Sequence, residues 1–119
     1  MRTITDGLPG VYESERIETD QEGLPVDETV RPGMVTFTRD GRLSVVSASD
    51  KMVMAYVGSY EVEGDALRIR VETCMFRELE GTVLTRRIVS FDGSRLVLEA
   101  VGAKSKQRSL LTWKKKLPL

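Results

Sequence analysis

From Met54 to Glu72 the sequence reads MAYVGSYEVEGDALRIRVE, and its apolar residues recur at every second position. Met54, Tyr56, Tyr60 and Val62 share one side of an extended chain, the Gly64-Asp65 pair breaks the run, and Leu67, Ile69 and Val71 resume it. A period of two over this length predicts a β-hairpin with two long arms. Arg68, Arg70 and Glu72 alternate with the apolar set, so the hairpin has one apolar and one polar face.

The rest of the chain extends the same grammar in both directions. Residues 1 to 8 read as a loose leader, Pro9-Gly10 introduces a first strand from Val11 to Thr19, and Asp20-Gln21-Glu22-Gly23 ends it. Residues 24 to 33, with Pro25, Pro32 and Gly33, read as a loop over one end of the fold. MVTFT and LSVVSAS flank Asp40-Gly41, a strong hairpin signal. SDKMV is a short connection, one helical turn with Ser49 or Asp50 as N-cap. Beyond the long hairpin, RELEG turns the chain into TVLTRRIVSF. Asp92-Gly93 leads to RLVLEAV, and Gly102 to Lys106 turn it into a last strand, RSLLTWKKK.

Eight strands at regular spacing, with no helical period longer than about a turn, predict an all-β fold, either a sandwich or an up-and-down barrel. Charge placement favours the barrel. The first 30 residues hold eight acids against two bases, whereas residues 102 to 116 hold six bases and no acid. In a closed barrel the first and last strands are neighbours, and opposite charges across them are each worth ~0.2–1 kcal/mol. Closure also removes both open sheet edges.

At 119 residues the chain is expected to be one domain, residues 1-119. Acids and bases balance at 18 each, which argues against a nucleic-acid partner. No apolar run is long enough to span a bilayer and residues 1 to 10 lack a signal-peptide core, so the expected location is the cytoplasm, away from membranes. A lone cysteine, Cys74, fits a reducing compartment. The absence of histidine removes triad chemistry, histidine metal sites and the usual neutral-pH base. No phosphate loop, metal-ligand cluster or nucleophile elbow is present, so neither metal nor cofactor is expected.

Several phrases, in matching order, resemble the bacterial lipocalin-like domain family. They are Gly10-Val11-Tyr12, Gly33 to Thr38 with Asp40 to Ser44, Ala55 to Val62, Gly81 followed by Arg86-Arg87, Asp92-Gly93 with Leu96, and Trp113-Lys114. The resemblance covers roughly Gly10 to Lys115 and implies an eight-stranded calycin-type barrel with an internal cavity. The chain departs from the family pattern in two ways: Tyr12 stands where true lipocalins have Trp, and Ile69 and Arg70 stand where members commonly carry a histidine pair.

In such a barrel one face of the long hairpin lines the interior. If it is the apolar face, Met54, Tyr56, Tyr60, Leu67, Ile69, Val71 and Met75 make either a greasy pocket with two phenol hydroxyls or a plain packed core. If it is the other face, Arg68, Arg70, Glu72, Cys74 and Phe76 make an anion-binding interior, with a reactive Cys74 thiol. Arg86 and Arg87 point opposite ways, and Arg86 shares its face with Leu84 and Ile88, so it is the inward one. Burial demands an acceptor, and Glu99 or Glu72 could serve. Trp113 is expected to plug one barrel end beside Tyr12, with Lys114 or Lys115 over an aromatic face.

Three functions follow. The first is binding of a small, largely apolar or amphipathic molecule by Met54, Tyr56, Tyr60, Ile69, Val71, Arg86 and Glu99. The second is a cofactor-free cyclase or isomerase of secondary metabolism, in which Arg86 or Tyr60 stabilises developing negative charge. The third is an interaction domain with a filled core. A homodimer is compatible with each.

Overall fold

The computed structural model describes residues 4–21, 23–101 and 107–119. One helical turn, α1 (Ile4–Gly7), precedes nine strand segments: β1 (Gly10–Gln21), β2 (Leu24–Glu28), β3 (Val30–Phe37), β4 (Arg42–Ser49), β5 (Val53–Glu63), β6 (Ala66–Cys74), β7 (Val83–Phe91), β8 (Arg95–Val101) and β9 (Arg108–Pro118). Each strand from β3 to β9 pairs antiparallel with the next, and β1 pairs with both β3 and β9, which closes the sheet. β2 and β3 lie end to end along one edge of β1: β3 takes Gly10 to Glu13 and β2 takes Ile17 to Gln21. The result is a closed antiparallel barrel of eight strands with β2 as an added ninth. Among the described residues no helix is long and apolar enough to cross a membrane.

The expected barrel closure is therefore observed, and the charges meet across it. Glu13 is the register partner of Lys114 and carries an ion pair to Lys116 at 3.7 Å. Asp20 faces Arg108 at 3.8 Å, and Glu15 reaches Arg95 on β8 at 3.1 Å. The hairpin turns also stand as read, with Gly41 and Gly93 at positive φ, as tight two-strand connections demand.

Three local expectations fail. Residues 24 to 33 are not a loop: Pro25 sits opposite Asp20 near the hairpin tip, and Pro32-Gly33 fall in a bulge between Arg31 and Met34, where a missing N–H breaks no ladder. The connection at Ser49 is no helical turn. The Ser49 N–H donates to the Met52 carbonyl, and the Ser49 hydroxyl accepts from Lys51 N, a side-chain turn that competes with helix. Nor are residues 4 to 8 a loose leader, because Leu8 is fully buried and its carbonyl accepts a 2.7 Å bond from the Tyr12 hydroxyl. Residues 1 to 3 and the expected turn at 102 to 106 lie outside the described residues.

Two bulges decide which side chains point inward. On β1 the register slips between Ser14 and Arg16, so burial passes from Tyr12 to Ile17 and Thr19. On β6 the pairing jumps between Val57↔Thr73 and Gly58↔Val71, leaving Glu72 unpaired with β5 and turning Cys74 inward. Cys74 is thus a buried thiol on the core face rather than part of the Arg68–Arg70 row, both members of which are exposed.

On the outer face, Glu99 sits between two arginines. Arg87 Nε lies 3.1 Å from its carboxylate and Arg108 Nε also donates to it. These hydrogen bonds hold its pKa at about 2, below the ordinary 4.5. A depressed carboxylate pKa adds stability that is present above the ordinary value and lost as the pH falls toward the folded one. Glu99→Gln is therefore expected to be less stable than the parent at pH 7, with the gap closing between pH 4.5 and 2. Melting curves of both proteins across that range check it, and a gap independent of pH would be contrary to this pairing.

Candidate binding cavity

One end of the barrel is closed by aromatic rings. Tyr12 meets Phe37 edge-on, with ring centres 5.8 Å apart, and Phe37 meets Tyr60 in the same way at 5.0 Å. The Tyr60 hydroxyl donates to the Thr38 carbonyl at 2.6 Å. Lys115 Nζ lies over both Tyr12 and Phe91 and donates to the Gly7 carbonyl at 2.6 Å, so the segment before β1 is fastened across this end. The Lys115 expectation holds. Burial, reinforced by nearby Tyr60, raises the Tyr12 hydroxyl above its ordinary 10.0, which keeps it a hydrogen-bond donor.

Above this plug the interior is hollow. A cavity of about 360 Å³ lies within the strands. Its walls include Val35, Phe37, Leu43, Val45, Leu67, Ile69, Leu98, Leu111 and Trp113. Inward positions become small or polar away from the plug: Leu43 and Val45 give way to Ser47 and Ser49 on β4, and Trp113 and Leu111 to Ser109 on β9. The mouth is at that polar end. There Thr19 Oγ1 donates to Glu28 and shares a hydrogen bond with Ser109, and Lys51 Nζ lies 3.7 Å from Glu28. The Asp50 N–H donates to the Thr29 carbonyl and ties the β4–β5 connection to the hinge between β2 and β3.

The sequence-predicted residues divide cleanly. Met54, Tyr56, Ile69 and Arg86 line the cavity. Tyr60 is in the plug, with its hydroxyl committed to Thr38, and is not among the lining residues. Val71 is fully buried yet packs in the core away from the hollow, and Met75 is exposed. Glu99 is on the outer face, and Glu72 pairs with Arg42 at 2.6 Å, so neither accepts from Arg86. Trp113, like Phe37, lines the cavity. Phe37, Leu43, Val45, Thr19, Glu28 and Lys51 were not singled out from the sequence. The series Leu43-Val45-Ser47-Ser49, a period-two stripe that turns polar, is the signal that could have found the mouth.

Arg86 is inward as expected, and its neighbour Arg87 is outward on Glu99. Among the described residues no carboxylate pairs with Arg86 and no group accepts a hydrogen bond from it. Tyr56 is close enough to feel its charge. Burial raises the Tyr56 hydroxyl above 10.0 and the guanidinium opposes that shift, so the phenol remains protonated near neutrality. The Tyr56 hydroxyl has no hydrogen-bond partner among the described residues either.

No family model matches the sequence, and neither does any curated protein. Among solved structures the chain is similar to an uncharacterized protein from Bacteroides eggerthii DSM 20697, with a TM-score of 0.56 at 10% identity, over 91% of this chain and 98% of that one. At that identity the likeness concerns the fold alone.

Proposed function

We propose that this barrel binds one small, largely apolar molecule in its interior, as a lipocalin-like protein of the cytoplasm. The observation that carries the reading is the hollow itself: about 360 Å³, walled by aliphatic and aromatic side chains, shut at one end and polar at the other. Small-molecule sites have this character, with volumes of ~300–1,000 Å³ and a few placed polar groups. Packed interiors leave few voids larger than a water molecule, so a space of this size is unusual for a plain core.

The expected result is saturable one-to-one binding of the neutral dye N-phenyl-1-naphthylamine, seen as a blue shift and gain in its emission. Ser47→Trp places an indole in the wall near the mouth and should abolish that signal while leaving the circular dichroism spectrum unchanged. A folded parent protein that gives no emission change would remove the reading.

A second reading, a cofactor-free cyclase or isomerase, is favoured by one observation, a phenol, Tyr56, and a guanidinium, Arg86, on the walls of the same cavity. Such a pair can stabilise an enolate or phenolate. Incubation with polyketide-like substrates separates the two: recovery of the unchanged molecule supports binding, and a product lost in Arg86→Met supports catalysis.

A further inference from the structure

Three charged groups line the cavity among the described residues: Arg86, Lys51 and Glu28. Lys51 and Glu28 pair with each other at the mouth. Arg86 is left as an uncompensated positive charge in the wall of an apolar chamber, and every other arginine among the described residues is exposed. Tyr56 supplies a second donor without an acceptor on the same chamber.

A neutral apolar ligand that filled this space would strip water from both donors and give nothing back, and unpaired donors, charged ones above all, are costly to bury. A cationic ligand would meet repulsion as well. An oxyanion repairs both defects, since a guanidinium takes a carboxylate through two parallel charge-assisted bonds and a phenol can add a third. We propose that Arg86 and Tyr56 form an anion subsite, and that the molecule held here is an amphipathic monocarboxylate. Its acid group sits on these two side chains and its apolar body lies along Leu43, Ile69 and Trp113. The inference rests on the cavity being a binding site and specifies its chemistry.

The test compares three probes of matched length, decanoate, decan-1-ol and decylamine, each kept below its aggregation threshold at pH 7.5. Binding is followed through the emission of Trp113, the single tryptophan, which is in the cavity wall. Decanoate is expected to bind about tenfold or more tightly than decanol, as hydrogen bonds to a charged partner imply, with decylamine weakest. In Arg86→Met the acid-over-alcohol preference should fall to about twofold or less while decanol still binds, and Arg86→Lys should restore part of it. Tyr56→Phe, which keeps the ring, should reduce the preference less than Arg86→Met. Decanol binding as well as decanoate to the parent, or a preference undiminished in Arg86→Met, overturns the subsite and leaves the cavity reading intact. Failure of all three probes and of the neutral dye overturns both.

Discussion

Gly58→Ala is expected to destabilise the barrel by about 3 kcal/mol, near the upper end of what overpacking a well-fitted site costs. Gly58 lies inside β5, between β4 and β6, at the point where the β6 bulge folds toward it. A methyl group there would sit 1.9 Å from the Arg70 carbonyl oxygen and 3.0 Å from its carbon. Both are backbone atoms, so no side-chain rotation relieves the clash. The bulge must open or β6 must shift. The gain from a stiffer unfolded chain, ~0.4–1 kcal/mol, is too small to offset this. Urea unfolding gives the free energy, and the melting temperature should drop by about 10 °C, at roughly 4 °C per kcal/mol for a domain of this size. A loss below 1 kcal/mol would mean that the strands do not approach this closely. The register is at stake too, because the extra residue at Glu72 is what points Cys74 inward.

The second large effect is expected at Tyr12. Its ring is fully buried between Phe37 and the Lys115 ammonium group, and its hydroxyl holds the Leu8 carbonyl. Tyr12→Ala leaves a cavity in the plug and should cost ~3–5 kcal/mol, the range for deleting a large aromatic side chain. Tyr12→Phe keeps the ring and leaves only one carbonyl without its donor, so ~1–2 kcal/mol is expected. Unfolding curves of the two variants separate ring from hydroxyl, and proteolysis before Gly10 should quicken in both, since the Leu8 tether is gone in each. Equal losses in the two variants would mean that the tether, not the aromatic packing, secures this end.

How far the sequence could be read depended on whether its signals were local. The Asp-Gly turns, the period of two and the opposite charges of the first and last strands are all visible residue by residue, and they were enough for an antiparallel barrel with Arg86 inside and Arg87 outside. What escaped was set by pairing between distant segments. Pro25 and Pro32 disguised β2 and the start of β3, because a proline argues against a strand until it is known which edge its missing N–H faces. Bulges on β1 and β6 shift the inward parity without any mark in the local alternation, which therefore puts Cys74 on the Arg68–Arg70 face and hides Thr19. Tyr60 and Tyr56 share a strand face, yet the strand runs from the chamber into the plug. Only the position of the plug tells a wall residue from a sealing one. Glu99 is held outside by Arg87 and by Arg108, from the strands on either side of it.

The seam between β1 and β9 sets Gly10 against Pro118 and Thr19 against Ser109, so the last wall of the vessel joins segments from opposite ends of the described chain. Topologies dominated by such remote pairings fold on the ms-to-s scale, because loop entropy is lost before the contacts that compensate for it form. The chamber is therefore complete only once β1 and β9 have paired. Loosening either terminal strand would open the wall along the full length of this seam.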